Sequence, residues 1–156
     1  MSKANAHGTL VIADTHGVLI TGPSGAGKSA LALEIIRYCA EYGRLARLIC
    51  DDQVLLGVHN GRVLGRAAPS IAGQIEARGY GPVSIAHEPA AVIDLVVQIA
   101  PGSGHPARLQ YDEEAVVIGV PLPSLQCSRH DMASAVRAIA ARLRLPPFAD
   151  DSSKID

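Results

Sequence analysis

Tryptophan is absent from this 156-residue chain, phenylalanine occurs once, and aromatic residues make up only 3% of it. A core without large rings must be filled by alanine, valine, leucine and isoleucine, and a hydrophobic content of 48% describes a folded globular chain. An excess of either charge is lacking too: 14 Lys+Arg stand against 15 Asp+Glu, a formal net charge of −1. That balance argues against the clustered basic face of a nucleic-acid binder. No apolar run approaches the about 20 residues of a membrane span, and the N-terminus has no apolar signal segment. The expected location is the cytoplasm, with neither membrane nor nucleic acid as partner. Three cysteines (Cys39, Cys50, Cys127) are an odd number without C-x-x-C spacing. They indicate neither a disulfide framework nor zinc, and read as small buried hydrophobes. Lysine is nearly missing. It occurs at positions 3, 28 and 154, and the outer two fall in polar terminal segments.

Lys28 belongs to the stretch Gly22-Pro23-Ser24-Gly25-Ala26-Gly27-Lys28-Ser29, which fits the phosphate-loop pattern G-x-x-x-x-G-K-[ST] without mismatch. The apolar run Gly17–Thr21 before it reads as a buried strand, and Ala30–Ile36 after it reads as helix. That order directs loop N–H groups and the positive end of a helix dipole at one anion. Lys28 is placed to reach the β- and γ-phosphates of a nucleotide, and the Ser29 hydroxyl to ligate Mg²⁺. A compact ammonium suits that task better than the guanidinium used elsewhere in the chain.

The remaining pattern describes one α/β domain over residues 1–156, with residues 1–6 and 149–156 as flexible ends. Gly8–Ala13 and Gly17–Thr21 form a hairpin, which carries His7 toward Gly22. The helix from the phosphate loop extends to about Tyr42, with Gly43 as its stop. Ala46–Asp52 is a strand ending on two carboxylates, and Asn60-Gly61 turns the next hairpin. Ser70 caps a short helix over Ile71–Ala77, followed by a loop through Gly79, Gly81 and Pro82. Ala90–Ala100 is the most apolar strand, and the Gly/Pro-containing stretch 101–110 is a mobile loop. Residues 115–120 and 122–127 are two more strands, and an amphipathic helix with Met132, Val136, Ile139, Ala140 and Leu143 on one face ends before Pro146-Pro147.

Phosphoryl transfer needs acidic partners for the metal and the nucleophile. Asp51 and Asp52 stand where such acids belong, at the end of the strand after the phosphate-loop helix. If both are extended they face opposite sides, one toward metal and one toward nucleophile. By themselves, Glu76 and His7 are ordinary surface residues. These residues leave three readings open: a protein kinase, a small-molecule kinase, and a nucleotide-sensing module without catalysis.

Together, His7-Gly8, the loop 22–29, Cys50-Asp51-Asp52 and Glu76-Ala77-Arg78-Gly79-Tyr80-Gly81 resemble the HPr kinase/phosphorylase catalytic domain. The order and spacing agree from His7 to about Val83, and more loosely to Leu145. The resemblance implies the P-loop fold variant shared with phosphoenolpyruvate carboxykinases, a mixed sheet with flanking helices. It implies ATP and Mg²⁺ at Gly22, Pro23, Ser24, Gly25, Ala26, Gly27, Lys28 and Ser29. Asp52 then corresponds to the general base acting on a serine of the phosphocarrier HPr, and to the acid in the phosphorolytic direction. His7 corresponds to a catalytic histidine at that acid, Glu76 to a further Mg²⁺ ligand beside Ser29 and Asp51, and Arg108 to a catalytic arginine. Such enzymes regulate a phosphotransferase system and commonly form homo-hexamers. The chain resembles the short single-domain bacterial form. Pro123–Arg129 stands in place of a basic loop linked to phosphorolysis, and is shorter and without lysine.

Overall fold

The computed structural model describes residues 3–100 and 109–148. In chain order the elements are β1 (Lys3–Ala13), β2 (His16–Thr21), α1 (Lys28–Glu41), β3 (Ala46–Cys50), β4 (Gln53–His59) and β5 (Arg62–Arg66). A 3-10 turn (Pro69–Ile71) leads to β6 (Gln74–Ala77), β7 (Gly81–Ser84), β8 (Ala90–Ala100), β9 (Glu114–Val117), β10 (Val120–Ser128) and α2 (Met132–Leu143).

β1 is the hub. One flank pairs antiparallel with β2, with Gly8 opposite Thr21 and Ala13 opposite His16. The other flank is divided: Lys3–His7 pairs with β4, and Leu10–Ala13 pairs with β3. β4 turns into β5 at Asn60-Gly61, both at positive φ (53° and 75°), as the Asn-Gly signal requires. β8 lies antiparallel to β5 and parallel to β2, closing the circuit β2-β1-β4-β5-β8. β10 adds in parallel to β8, β9 pairs with β10, and β6 and β7 form a separate hairpin.

Strand alternation divides the core in two. Val11, Val18, Ile20, Leu95 and Val97 face the helices, packing with Leu31, Ala32 and Ile35 of α1 and with Ile139 and Ala140 of α2. Leu10, Leu19, Ile93 and Val96 face the other way, against Ile49, Val54, Leu56 and Val63. Aliphatic side chains fill both sides, as the lack of aromatics demands. Gly17 is obligatory where β2 meets β8, because a Cβ there would lie 2.1 Å from the Val92 carbonyl oxygen. The three cysteines are buried and free. Among the described residues no helix is long and apolar enough to cross a membrane.

The mixed sheet with flanking helices matches the expected class, but three local expectations do not hold. Residues 3–6, read as part of a frayed end, belong to β1, because β4 offers them a partner strand. Ile71–Ala77 is not a helix capped by Ser70. Ser70 lies inside the 3-10 turn, Gly73 takes φ of 75°, and Gln74–Ala77 pairs with β7 as β6. The run 115–120 is broken by a turn at Ile118-Gly119, with φ of 40° and 84°. The strand expected over 122–127 is found within β10, which takes in all of Pro123–Arg129 except Arg129. Pro121 and Pro123 are tolerated there because β10 pairs with β8 only from Ser124 onward. The stretch 101–108, with the predicted Arg108, and the acidic tail 149–156 lie outside the described residues.

Candidate active site

The phosphate loop leaves β2 at Thr21 and enters α1 at Lys28. Glycine is needed at Gly27, whose φ is 100° and where a Cβ would lie 2.7 Å from the Met132 methyl carbon. The loop is cross-braced by its own lysine. The buried Lys28 Nζ donates to the carbonyls of Gly22 (2.9 Å) and Pro23 (3.0 Å). An ammonium has three N–H groups, so one more remains for an anion.

The β1–β2 register places His7 beside Gly22, as the hairpin predicts. His7 Nε2 lies 3.4 Å from Ser24 Oγ, and Nδ1 lies 3.5 Å from Asp52 Oδ1. An ionised carboxylate only accepts, so Nδ1 is the nitrogen that can donate toward Asp52, while Nε2 faces the Ser24 hydroxyl. His7 thus spans the phosphate loop and the acid.

The two carboxylates divide, but not by simple strand alternation. Between β3 and β4 the chain makes a tight turn in which Gln53 N–H donates to the Asp51 carbonyl (2.8 Å). Asp52 takes the left-handed conformation at φ 71°, and its carbonyl accepts from Gly8 N–H (3.1 Å). Asp51 is thereby buried at 9% exposure, whereas the Asp52 side chain is 78% exposed. Asp51 accepts from Thr9 Oγ1 (2.7 Å), from Ser29 Oγ (2.8 Å to each carboxylate oxygen) and from the backbone N–H of Glu76 (3.1 Å). These donors lock its orientation.

A cavity of about 700 Å³ opens over these groups. Thr9, Ser24, Lys28, Ser29, Asp51 and Asp52 line its polar part, and Ala30, Leu33 and Met132 give it an apolar wall. Its size lies within the usual range for small-molecule sites. Glu76 and Arg78, from the β6–β7 hairpin, line the same space. Cys50, next to Asp51, supplies no nucleophile, because burial pushes its thiol up to about 12.

Among the described residues no three His, Cys, Asp or Glu side chains gather closely enough to hold a metal by themselves. Mg²⁺ needs no such cage, since it takes one or two carboxylates with phosphate and water oxygens. The Ser29 hydroxyl and Asp51 carboxylate, in mutual contact beside the phosphate loop, fit that requirement. Glu76 is tied to them through its backbone, and its side chain is on the cavity wall. His7, Lys28, Ser29, Asp51 and Asp52 are therefore brought together, while Arg108 lies outside the described residues. Thr9, Leu33 and Met132 were not anticipated. Thr9 had a usable signal, standing two residues after His7 and hence on the same strand face.

Comparison with known proteins gives the chain a family and a fold relative. The family model described as HPr Serine kinase C-terminal domain matches residues 1–127. The HPr kinase/phosphorylase of Lactiplantibacillus plantarum is 30% identical over 171 aligned residues, covering 98% of this chain and 51% of its own length. That of Clostridium beijerinckii is 40% identical over 83 residues, covering 53% of this chain and 26% of its own. The chain thus spans about half or less of these curated relatives. The solved structure of the Hpr(Ser) kinase/phosphatase from Coxiella burnetii superposes with a TM-score of 0.72 at 22% identity, covering 90% of this chain and 88% of the other. That match shows a shared fold.

Proposed function

The chain belongs to the HPr serine kinase C-terminal domain family, and from that membership and the site we propose that it transfers the γ-phosphoryl group of ATP to a serine of an HPr-type phosphocarrier, regulating a phosphotransferase system. The observation that carries this reading is the exposed Asp52, set beside His7 at the mouth of a phosphate loop. A base buried in the cavity would serve a small acceptor; one at the rim can meet a hydroxyl presented by another protein.

The phosphates of ATP would lie along Gly22–Ser29, with Lys28 and the loop N–H groups facing the charge that shifts during transfer. Ser29 and Asp51, with Glu76 on the same wall, would hold Mg²⁺, which supplies charge neutralisation and alignment of the phosphates. The serine oxygen forms the new bond to the γ-phosphorus as the bond to the β–γ bridging oxygen breaks, and the serine proton passes to Asp52. His7, donating from Nδ1, keeps the Asp52 carboxylate aimed at that hydroxyl. In the phosphorolytic direction Asp52 returns the proton to the serine oxygen. Arg108 would add positive charge to the charge neutralisation of transfer, as the family resemblance implies. The reading includes a cytoplasmic location, where ATP and the carrier occur, and assembly as a homo-oligomer.

Incubation with γ-labelled ATP and an HPr-type protein tests it. The expected result is label on serine, abolished by Asp52→Asn with ATP binding retained, and both functions weakened by Lys28→Ala. Intact ATP binding without any label on the carrier would overturn it in favour of a nucleotide-sensing module.

A further inference from the structure

Asp52 lines two recesses. The first is the cavity over the phosphate loop; the second, of about 420 Å³, is lined by Asn5, Ala6, His7, Asp52 and Gln53. Asp52 is the one residue common to both linings. In a phosphoryl transfer the base must touch the acceptor hydroxyl while standing beside the donor phosphate. A carboxylate shared by two recesses satisfies both demands at once, with the donor on one side and the acceptor on the other.

The chemistry of the second recess narrows its occupant. Asn5 and His7 are two apart on β1 and so share a face, and Gln53 is the cross-strand partner of His7. Asn5, His7 and Gln53 are all exposed. Among the described residues neither the Asn5 nor the Gln53 side-chain amide makes a hydrogen bond. The recess holds no lysine or arginine, and the Asp52 carboxylate repels anions, so it is unsuited to a second phosphate. Two primary amides carry donors and acceptors together, the complement of a peptide group. Asn5 and Gln53 are diagonal neighbours across the β1–β4 pair, about 7–8 Å apart, close to the about 6.6–6.8 Å that separates every second peptide in an extended segment.

We propose that this recess binds the main chain of the acceptor protein on either side of its serine, through the amides of Asn5 and Gln53. The inference rests on the kinase reading, and adds to it a subsite that recognises backbone rather than side chains. It expects tolerance of side-chain changes flanking the acceptor serine.

Two measurements test it. The side-chain NH₂ signals of Asn5 and Gln53 are followed by ¹⁵N–¹H correlation spectroscopy as an HPr-type protein is added with a non-hydrolysable ATP analogue. Shifts of both amides support the subsite; shifts elsewhere without them overturn it, even where phosphate is transferred, and no shift at any site overturns it as well. In steady-state transfer, the double variant Asn5→Ala/Gln53→Ala is expected to raise the KM for the carrier about tenfold, with kcat and the KM for ATP within about twofold. An unchanged carrier KM in a variant with a wild-type melting temperature overturns the subsite alone. A wild-type enzyme that transfers nothing to the carrier overturns the kinase reading, and the spectra then decide the subsite separately.

Discussion

Thr9→Val isolates one hydrogen bond with almost no change of shape. Thr9 is fully buried, and its hydroxyl donates to Asp51 Oδ1 at 2.7 Å. Valine replaces that hydroxyl with a methyl, so no cavity forms, and Asp51 keeps its bonds from Ser29 and from the Glu76 N–H. What is lost is a donor to a buried carboxylate, a bond of about 1.5–3 kcal/mol when the partner is charged. For a domain of this size each kcal/mol moves the melting temperature by about 2–4 °C, so the expected fall is about 3–12 °C by circular dichroism or calorimetry. The sign is informative. Valine is the better strand former and the more hydrophobic residue, so burial and propensity alone predict a higher melting temperature. If Asp51 holds Mg²⁺ as proposed, the same variant should need about tenfold more Mg²⁺ for ATP to stabilise it, because a ligand carboxylate deprived of its outer partner binds metal less well. Thr9→Ser, which keeps the donor, should need no more Mg²⁺ than wild type. A Thr9→Val protein that melts at or above wild type, with unchanged Mg²⁺ dependence, would refute the assignment of Thr9 as the residue that positions Asp51.

Gly17→Ala forces a Cβ to within 2.1 Å of backbone at the β2–β8 junction, so the strands must part. A loss of about 1–3 kcal/mol in urea unfolding is expected, and a neutral result would show that the junction relaxes freely. Cys50 and Cys127, held by burial at about 12 and about 11 against an ordinary 9, should resist iodoacetamide at pH 8 in the folded protein and react in urea, as read by intact mass. The same shifts set the alkaline limit. Below pH 9 folded and unfolded thiols are both protonated; between 9 and about 12 the unfolded chain ionises first, so stability should fall as pH rises through that window. Thermal melts from pH 8 to 11 check the direction.

The parts of the site that were legible in sequence are those made by short backbone segments. The phosphate loop needs glycine where φ is positive, and Gly27 at 100° leaves that signature in the residues themselves. His7 was placed by hairpin register, which a turn and two apolar runs define. Asp51 and Asp52 point to different surroundings, one buried and one exposed, but not through strand alternation. Asp52 turns outward through a left-handed φ, a conformation that aspartate allows without announcing it. The β6 strand was misread because Ser70 followed by apolar residues mimics a capped helix, while the partner that makes it a strand, Val83, lies beyond the turn. Met132 enters the site only through tertiary packing. No local pattern states that the start of α2 will meet Gly27.

The closed circuit of strands also orders events during synthesis. The strand that delivers the phosphate loop, β2, finds β1 at once, but its other neighbour is β8, at Ala90–Ala100. A nascent chain still threaded through the ribosome at β5 carries the entire loop motif, yet lacks the strand that flanks and steadies it. Such an intermediate has the letters of a nucleotide site without its rigid frame. If the loop takes ATP as proposed, its capture is a late event in the life of the new chain, and ligand binding on arrested nascent chains should switch on only once residues 90–100 have cleared the exit tunnel.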